Sequence, residues 1–293
     1  MSKGHKRRFG DRREGRRIRT LDPFNAMIPF LMKQKSEASN YFSASLEVTE
    51  IERYLRKKRI AGYPGIGMLH LFVAAYIRTA SQYPALNRFC SGQRIFAREN
   101  VEFLMMLKKQ MRTDAGETSI KIQFDRGETI NDVYVKLNAE INKIKNEGET
   151  TNSDKLTAAF MKLPRLILRF TVAFLVFLDY FDFLPKKIIE ASPFHGSVFI
   201  TDMGSIGLSS IYHHLFNIGN LPMFIAIGAK RKVNELNSKG EVVKRKYLDF
   251  KFVVDERICD GFYFSQTFKV FVSFLKNPDA LEKPPEQIND DIE

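Results

Sequence analysis

The stretch at residues 253–264, VVDERICDGFYF, crowds Asp255, Glu256 and Asp260 beside Cys259, one of only two cysteines in the chain. A β-branched run leads into the acids, and Asp-Gly leads out of them into a second apolar run. The layout is a strand, a tight turn and a helix. Carboxylates so placed form either a solvated charged turn or a site in which one of them handles a proton. A glutamate in water has a pKa of about 4.3, too low for an efficient base toward a thiol or alcohol, whereas burial in an apolar channel raises it by several units. A second group with proton chemistry is the pair His213 and His214 in IYHHLFN; it reads either as a base or as packed loop histidines.

Familiar phosphate, dinucleotide, zinc and esterase signatures are absent from the sequence. There is no GxxxxGK[ST], GxGxxG after a strand, HExxH or GxSxG. No CxxC or Cys/His spacing suggests a metal, so none is expected.

The elements that must hold these groups alternate between the two periods. YFSASLEV (41–48) reads as a strand. Thr49 and Glu52 have the spacing of a capping box opening a helix to about Arg59. Residues 68–82 form a helix apolar around most of its circumference, hence buried. QRIFA and VEFLMMLKK are expected to pair as a hairpin across RENV. TSIKIQF (118–124) alternates as a half-exposed strand, residues 129–146 form an amphipathic helix, and NEGETTNSD is a polar loop. Strands follow at 197–204, at 222–232 and over VVKRKYLDFKFVVD, and Pro278 closes the last helix. The pattern predicts mixed α/β with a large, partly antiparallel sheet.

Charge and cysteine content narrow the setting. Residues 1–20 hold nine Lys/Arg against two acids, +7 of the net +12. This basic arm, mobile at least over its first ten residues, either binds nucleic acid or an anionic membrane or docks on its own protein. Only Phe9 interleaves with the arginines, so nucleic acid is the less expected partner. With two cysteines and no apolar N-terminal stretch, a cytoplasmic protein is expected. Residues 163–187, LPRLILRFTVAFLVFLDYFDFLPKK, are apolar enough to suggest a packed helix or membrane association. Arg169, Asp179 and Asp182 argue against a span.

The DERICDGF turn resembles the active-site turn of the chloramphenicol acetyltransferase and dihydrolipoyl acyltransferase superfamily, His-x-x-x-Asp-Gly. Asp260-Gly261 match, Arg257-Ile258 match the residues that follow the family's histidine, and the histidine position is Glu256. GSVFITDMGSIG (196–207) resembles the family's Gly-x-Phe-x-Ile-Ser/Thr-Asn-x-Gly-x-x-Gly strand, with Asp202 in place of the asparagine. PMFIAIGA resembles the next central strand, and YPALNRF and FLKNPDAL resemble further segments in the family's order. The resemblance covers about residues 20–283, with an apolar helical insertion around 155–190.

This resemblance implies a chloramphenicol acetyltransferase-like α/β fold, a large mixed sheet flanked by helices. It implies one domain over 21–283, between the basic arm (1–20) and an acidic tail (284–293). It further implies a homotrimer with the site between subunits, one presenting Glu256 and the other Thr201, whose hydroxyl would steady the oxyanion. Acyl-CoA would be the cosubstrate, met by Thr201, Gly204 and Ser205, and a thiol or hydroxyl compound the acceptor. Asp260 would be structural, paired with Arg16, Arg17 or Arg19. No lipoyl domain is recognisable, so a stand-alone acyltransferase is expected. The replaced histidine leaves three readings: Glu256 is the base, His213 or His214 has taken over, or catalysis is lost and the trimer is a binding scaffold.

Overall fold

The computed structural model describes residues 7–108, 112, 114, 116–145 and 150–293. The elements in order are β1 (Gly15–Arg17), α1 (Pro23–Leu31), β2 (Ser39–Glu47), α2 (Thr49–Ile60), α3 (Met68–Gln82), β3 (Arg88–Ser91), β4 (Arg94–Arg98), β5 (Val101–Lys108) and β6 (Glu117–Phe124). They continue with α4 (Ile130–Lys145), α5 (Asn152–Phe160), α6 (Arg165–Tyr180), α7 (Lys186–Ala191), β7 (Val198–Asp202), β8 (Met223–Leu236), β9 (Val242–Asp255) and α8 (Gly261–Lys276).

A six-stranded sheet has the order β2-β9-β8-β7-β5-β6. The β5–β7 and β7–β8 pairs are parallel and the rest antiparallel, so the expected mixed α/β fold is present. Burial follows position in the sheet. Edge strand β6 alternates buried and open residues, while the first six residues of the central strand β8 are buried without a break. On one face α2, α3, α4 and α8 close the main core around Phe72, Phe103, Phe124 and Phe250. The other face carries only a small cluster, Leu104, Phe199, Phe224 and Val253 beneath Leu215 and Leu221.

Several local expectations give way to long-range partners. QRIFA and VEFLMMLKK do not pair. β4 joins β1 and β3 in a separate three-stranded sheet, and β5 pairs with β6 and β7. No Thr49–Glu52 capping box forms, because the N-cap is Val48 and the Glu52 carboxylate is held by Lys230 and Lys246, both at 2.7 Å. The loop expected at 146–154 is already helical from Asn152, with Thr151 as its cap; residues 146–149 lie outside the described residues. The apolar insertion is three helices, and among the described residues no helix is long and apolar enough to cross a membrane.

The two termini are built into the fold. Residues 1–6 of the arm lie outside the described residues, but from Arg7 the arm is docked. β1 pairs with β4, and Arg12 is buried against Asp179 of α6 at 2.6 Å. The acidic tail crosses the same region: Asp291 makes a two-pronged pair with Arg88 (2.6 and 2.7 Å), and Arg16 donates to the Asp291 and Ile292 carbonyls. Most of the described arginines of the arm are thus spent on this protein's own acids and carbonyls.

The end of β9 is fixed by a buried ion pair. Asp255 is fully buried, and Arg257 grips both of its oxygens at 2.7 Å. The same guanidinium donates to the Met32 and Lys33 carbonyls beyond α1. Alongside, buried Lys35 donates to the carbonyls of Phe216, Ile218 and Gly219. Gly219 is required there: its φ is +69°, and a Cβ would strike the Phe194 carbonyl. Removing one partner of such a pair strands a buried charge. Arg257→Ala is therefore expected to lower stability by about 3–5 kcal/mol, read from the urea midpoint, and the double variant Asp255→Asn/Arg257→Met should recover part of the loss.

A buried histidine sets an acid limit on stability. The His70 ring accepts from the Gly67 amide (3.2 Å) and meets Asn138 Oδ1 (3.3 Å) through its other nitrogen, an arrangement that suits the neutral ring. Burial pushes its pKa down to about 4. The unfolded chain takes up a proton near pH 6.5 and the folded chain does not. Stability is full above pH 6.5 and falls as pH drops toward 4, by up to about 3 kcal/mol. His70→Gln should flatten that part of a urea-midpoint profile against pH.

Candidate active site

The 253–264 turn sorts its three acids into three roles. Asp255 is neutralised by Arg257. Asp260 is the N-cap of α8, accepting from the Tyr263 amide at 2.8 Å. Among the described residues Asp260 pairs with no arginine. Arg16 goes to the C-terminal tail and Arg19 to Asp11, and for Arg17 it is the backbone amide that bonds Asp11, so the expected internal pair is replaced. Gly261 opens α8 with open space at its Cα, so here the Asp-Gly step is a helix start rather than a crowded turn. Glu256 alone of the three is committed neither to an ion pair nor to a helix cap among the described residues. It is half-buried, and its Oε2 accepts from Asn40 Nδ2 at 2.6 Å. Its backbone amide donates to the Ala38 carbonyl, which pins the residue to the start of β2.

Thr201 stands at the end of β7, opposite Ala226 of β8, with its hydroxyl directed only at the soft acceptor Met203 Sδ (3.9 Å). It shares a face with Phe199, the face of the small cluster. Ser205 is committed to the turn after β7: its amide donates to Asp202 Oδ1 (3.1 Å) and its hydroxyl to the Asp202 carbonyl (2.6 Å). Gly204 is a glycine because a Cβ would lie 2.7 Å from the Gly228 carbonyl of β8. These two residues are therefore explained by the turn itself.

His213 lies over the same face as Thr201. Its ring stacks on Phe224, centroids 4.1 Å apart, and Phe224 stacks on Phe199. Burial, and then the neighbouring His214, push its pKa below the usual value, which favours the neutral ring. Its Nε2 is buried without a hydrogen-bond partner. His214 is exposed and packs edge-on against Phe216. Sequence reading passed over Asn40, Tyr41, Tyr212 and Lys251. Tyr212 meets Tyr41 edge to face (5.6 Å), and the Lys251 ammonium lies 4.6 Å from the Tyr212 ring centroid. Strand register alone would have placed Tyr41 beside Val253.

Glu256 and Thr201 are not brought together within one chain. The Glu256 carboxylate bonds Asn40, whose register partner Val254 belongs to the helix-covered core, while Thr201 shares the opposite face with Phe199.

A cluster of metal-ligating types lies elsewhere. Glu14, Asp179 and His195 converge with ligand atoms within 4.8 Å of one another. The Arg12 guanidinium, 2.6 Å from Asp179 and 3.7 Å from Glu14, already supplies the positive charge there. Burial opposes ionisation of Asp179, but His195 and Arg12 hold its carboxyl below the usual range.

No protein-family model matches the chain, and no curated protein sequence does. Solved structures do. A probable dihydrolipoamide acetyltransferase from Listeria monocytogenes superposes with a TM-score of 0.56 at 13% identity, covering 88% of this chain and 95% of that one. The Azotobacter vinelandii dihydrolipoamide acetyltransferase, studied for the catalytic roles of a serine, a histidine and an asparagine, gives 0.51 at 13% identity, with 90% and 93% covered. A chloramphenicol acetyltransferase gives 0.51 at 12% identity, with 88% and 99% covered. The chain thus has the chloramphenicol acetyltransferase-like fold shared by these acyltransferases.

Proposed function

We propose that the protein is a trimeric acyltransferase that moves an acyl group from acyl-CoA to a small thiol or hydroxyl acceptor. The observation that carries this reading is the sorting of acids in the 253–264 turn, which leaves Glu256 as the one carboxylate used neither in an ion pair nor as a helix cap, and oriented by a neutral neighbour, Asn40. A base held by a third group is the arrangement nucleophile activation requires. In the reaction Glu256 takes the acceptor's S–H or O–H proton as the acceptor attacks the thioester carbonyl. Thr201 of a neighbouring subunit donates to the oxyanion. Collapse breaks the carbon–sulfur bond, and the proton held by Glu256 passes to the departing CoA thiolate. The opposite-face placement of the two residues supports a site shared between subunits.

A second reading has its own support. The Asn40 amide already occupies one carboxylate oxygen, and the sequence position otherwise holds a histidine in the resembling family, so a non-catalytic trimer that binds acyl-CoA or a partner is the alternative.

The purified protein is expected to release free CoA from one or more members of an acyl-CoA panel in the presence of small thiols and alcohols, followed by a thiol-reactive dye. Glu256→Gln should cut the rate by about 10²–10⁴, and Thr201→Val by about 10²–10³. CoA binding without turnover would establish the scaffold. Turnover that survives Glu256→Gln but not His213→Gln would move the base to His213.

A further inference from the structure

α6 contains no buried residue, although twelve of its sixteen residues are apolar or aromatic. Its inner edge, Leu168, Thr171, Leu175 and Leu178, is half-covered by its own protein, and there Asp179 is tied to Arg12 and His195. The opposite edge repeats at helical spacing through Leu166, Phe170, Phe177 and Phe181, which are 67%, 74%, 56% and 50% exposed. Phe174 and Phe183 widen it. α1 adds to the same surface, since Gln93 donates to the Pro29 carbonyl of α1 and accepts from the Tyr180 hydroxyl of α6 (2.7 Å). The exposed large apolar residues of α1 are Phe24, Met27, Phe30 and Leu31. So many large exposed apolar side chains on two neighbouring helices are more than a monomeric surface ordinarily leaves in water.

Charge identifies what covers it. Lys162, Arg165 and Arg169 stand exposed at one end of α6, Lys186 and Lys187 at the other. Among the described residues Lys162, Arg165, Arg169 and Lys187 make no ion pair. The two acids of the segment are withdrawn from the surface: Asp179 by Arg12 and Asp182 by Arg7. An apolar aromatic stripe flanked by cations, of which only Lys186 is paired, with Glu190, matches the boundary of a bilayer with anionic headgroups. A face that packs on another copy would be depleted in lysine or would meet it with acids. We infer that α6, with α1 beside it, docks this protein on an anionic phospholipid surface, lying in the interface without crossing it. The inference is independent of the acyl-transfer reading.

The test is flotation of the full chain with vesicles of equimolar phosphatidylglycerol and phosphatidylcholine, and with phosphatidylcholine alone. The protein should float with the anionic vesicles, much less with the neutral ones, and less again as salt is raised. Phe170→Glu/Phe177→Glu should weaken vesicle binding at least about tenfold, with unchanged far-UV circular dichroism and an unchanged sedimentation coefficient. Arg165→Gln/Arg169→Gln, which touches no packed residue, should lose the preference for anionic vesicles. No flotation, or flotation indifferent to both variants, overturns the inference. So does a smaller oligomer in the glutamate variant, which would show that the face packs on a second copy.

Discussion

A carboxylate with no exposure to water must be compensated where it lies, and Asp255 is compensated by Arg257 two residues away. Much of the candidate site follows from that constraint. The guanidinium that neutralises Asp255 also holds the carbonyls beyond α1, and Lys35, in the same buried neighbourhood, gathers the carbonyls of 216–219. Two segments distant in sequence are thereby tied to the end of β9. One of them continues back to His213, and the other leads into β2 and Asn40. With Asp255 and its arginine turned inward, the chain emerges from the sheet at Glu256, and Asp260 can start the next helix. The acid cluster is therefore one buried pair, one cap and one carboxylate left over.

What was legible in the sequence was whatever depends on near neighbours. The alternation in 118–124, the unbroken apolar start of β8 and the Asp-Gly start of α8 each carry their own signal, and each gave the element found. The ordered motifs around Thr201 and Asp260 pointed to the fold that the solved acyltransferases share. The failures have one cause. Glu52 is drawn from its cap by two lysines on the facing sheet, β4 leaves β5 to take β1 as partner, and the arginines expected beside Asp260 are claimed by Asp11 and the C-terminal tail. All but the Arg19–Asp11 pair, which spans eight residues, are made by residues far along the chain, which local spacing does not report. Asn40 was missed for the same reason, being joined to Glu256 only by the register of β2 on β9.

The basic arm and the apolar insertion, separate oddities in the sequence, explain one another. Arg12 reaches into the insertion and neutralises Asp179 beside His195, which turns the polar edge of α6 inward. The apolar edge is left facing out. A catalytic-type turn and an exposed hydrophobic helix thus sit on one scaffold, the first fixed by Arg257 and the second by Arg12.

The central claim is that Glu256, and not a histidine, faces the reacting sulfur. A crystal structure of the oligomer soaked with CoA tests it most directly. The account predicts the CoA sulfur within hydrogen-bond reach of the Glu256 carboxylate of one subunit, with Thr201 of its neighbour on the far side of the same channel. A sulfur seated against His213, or CoA bound away from the 253–264 turn altogether, would contradict it.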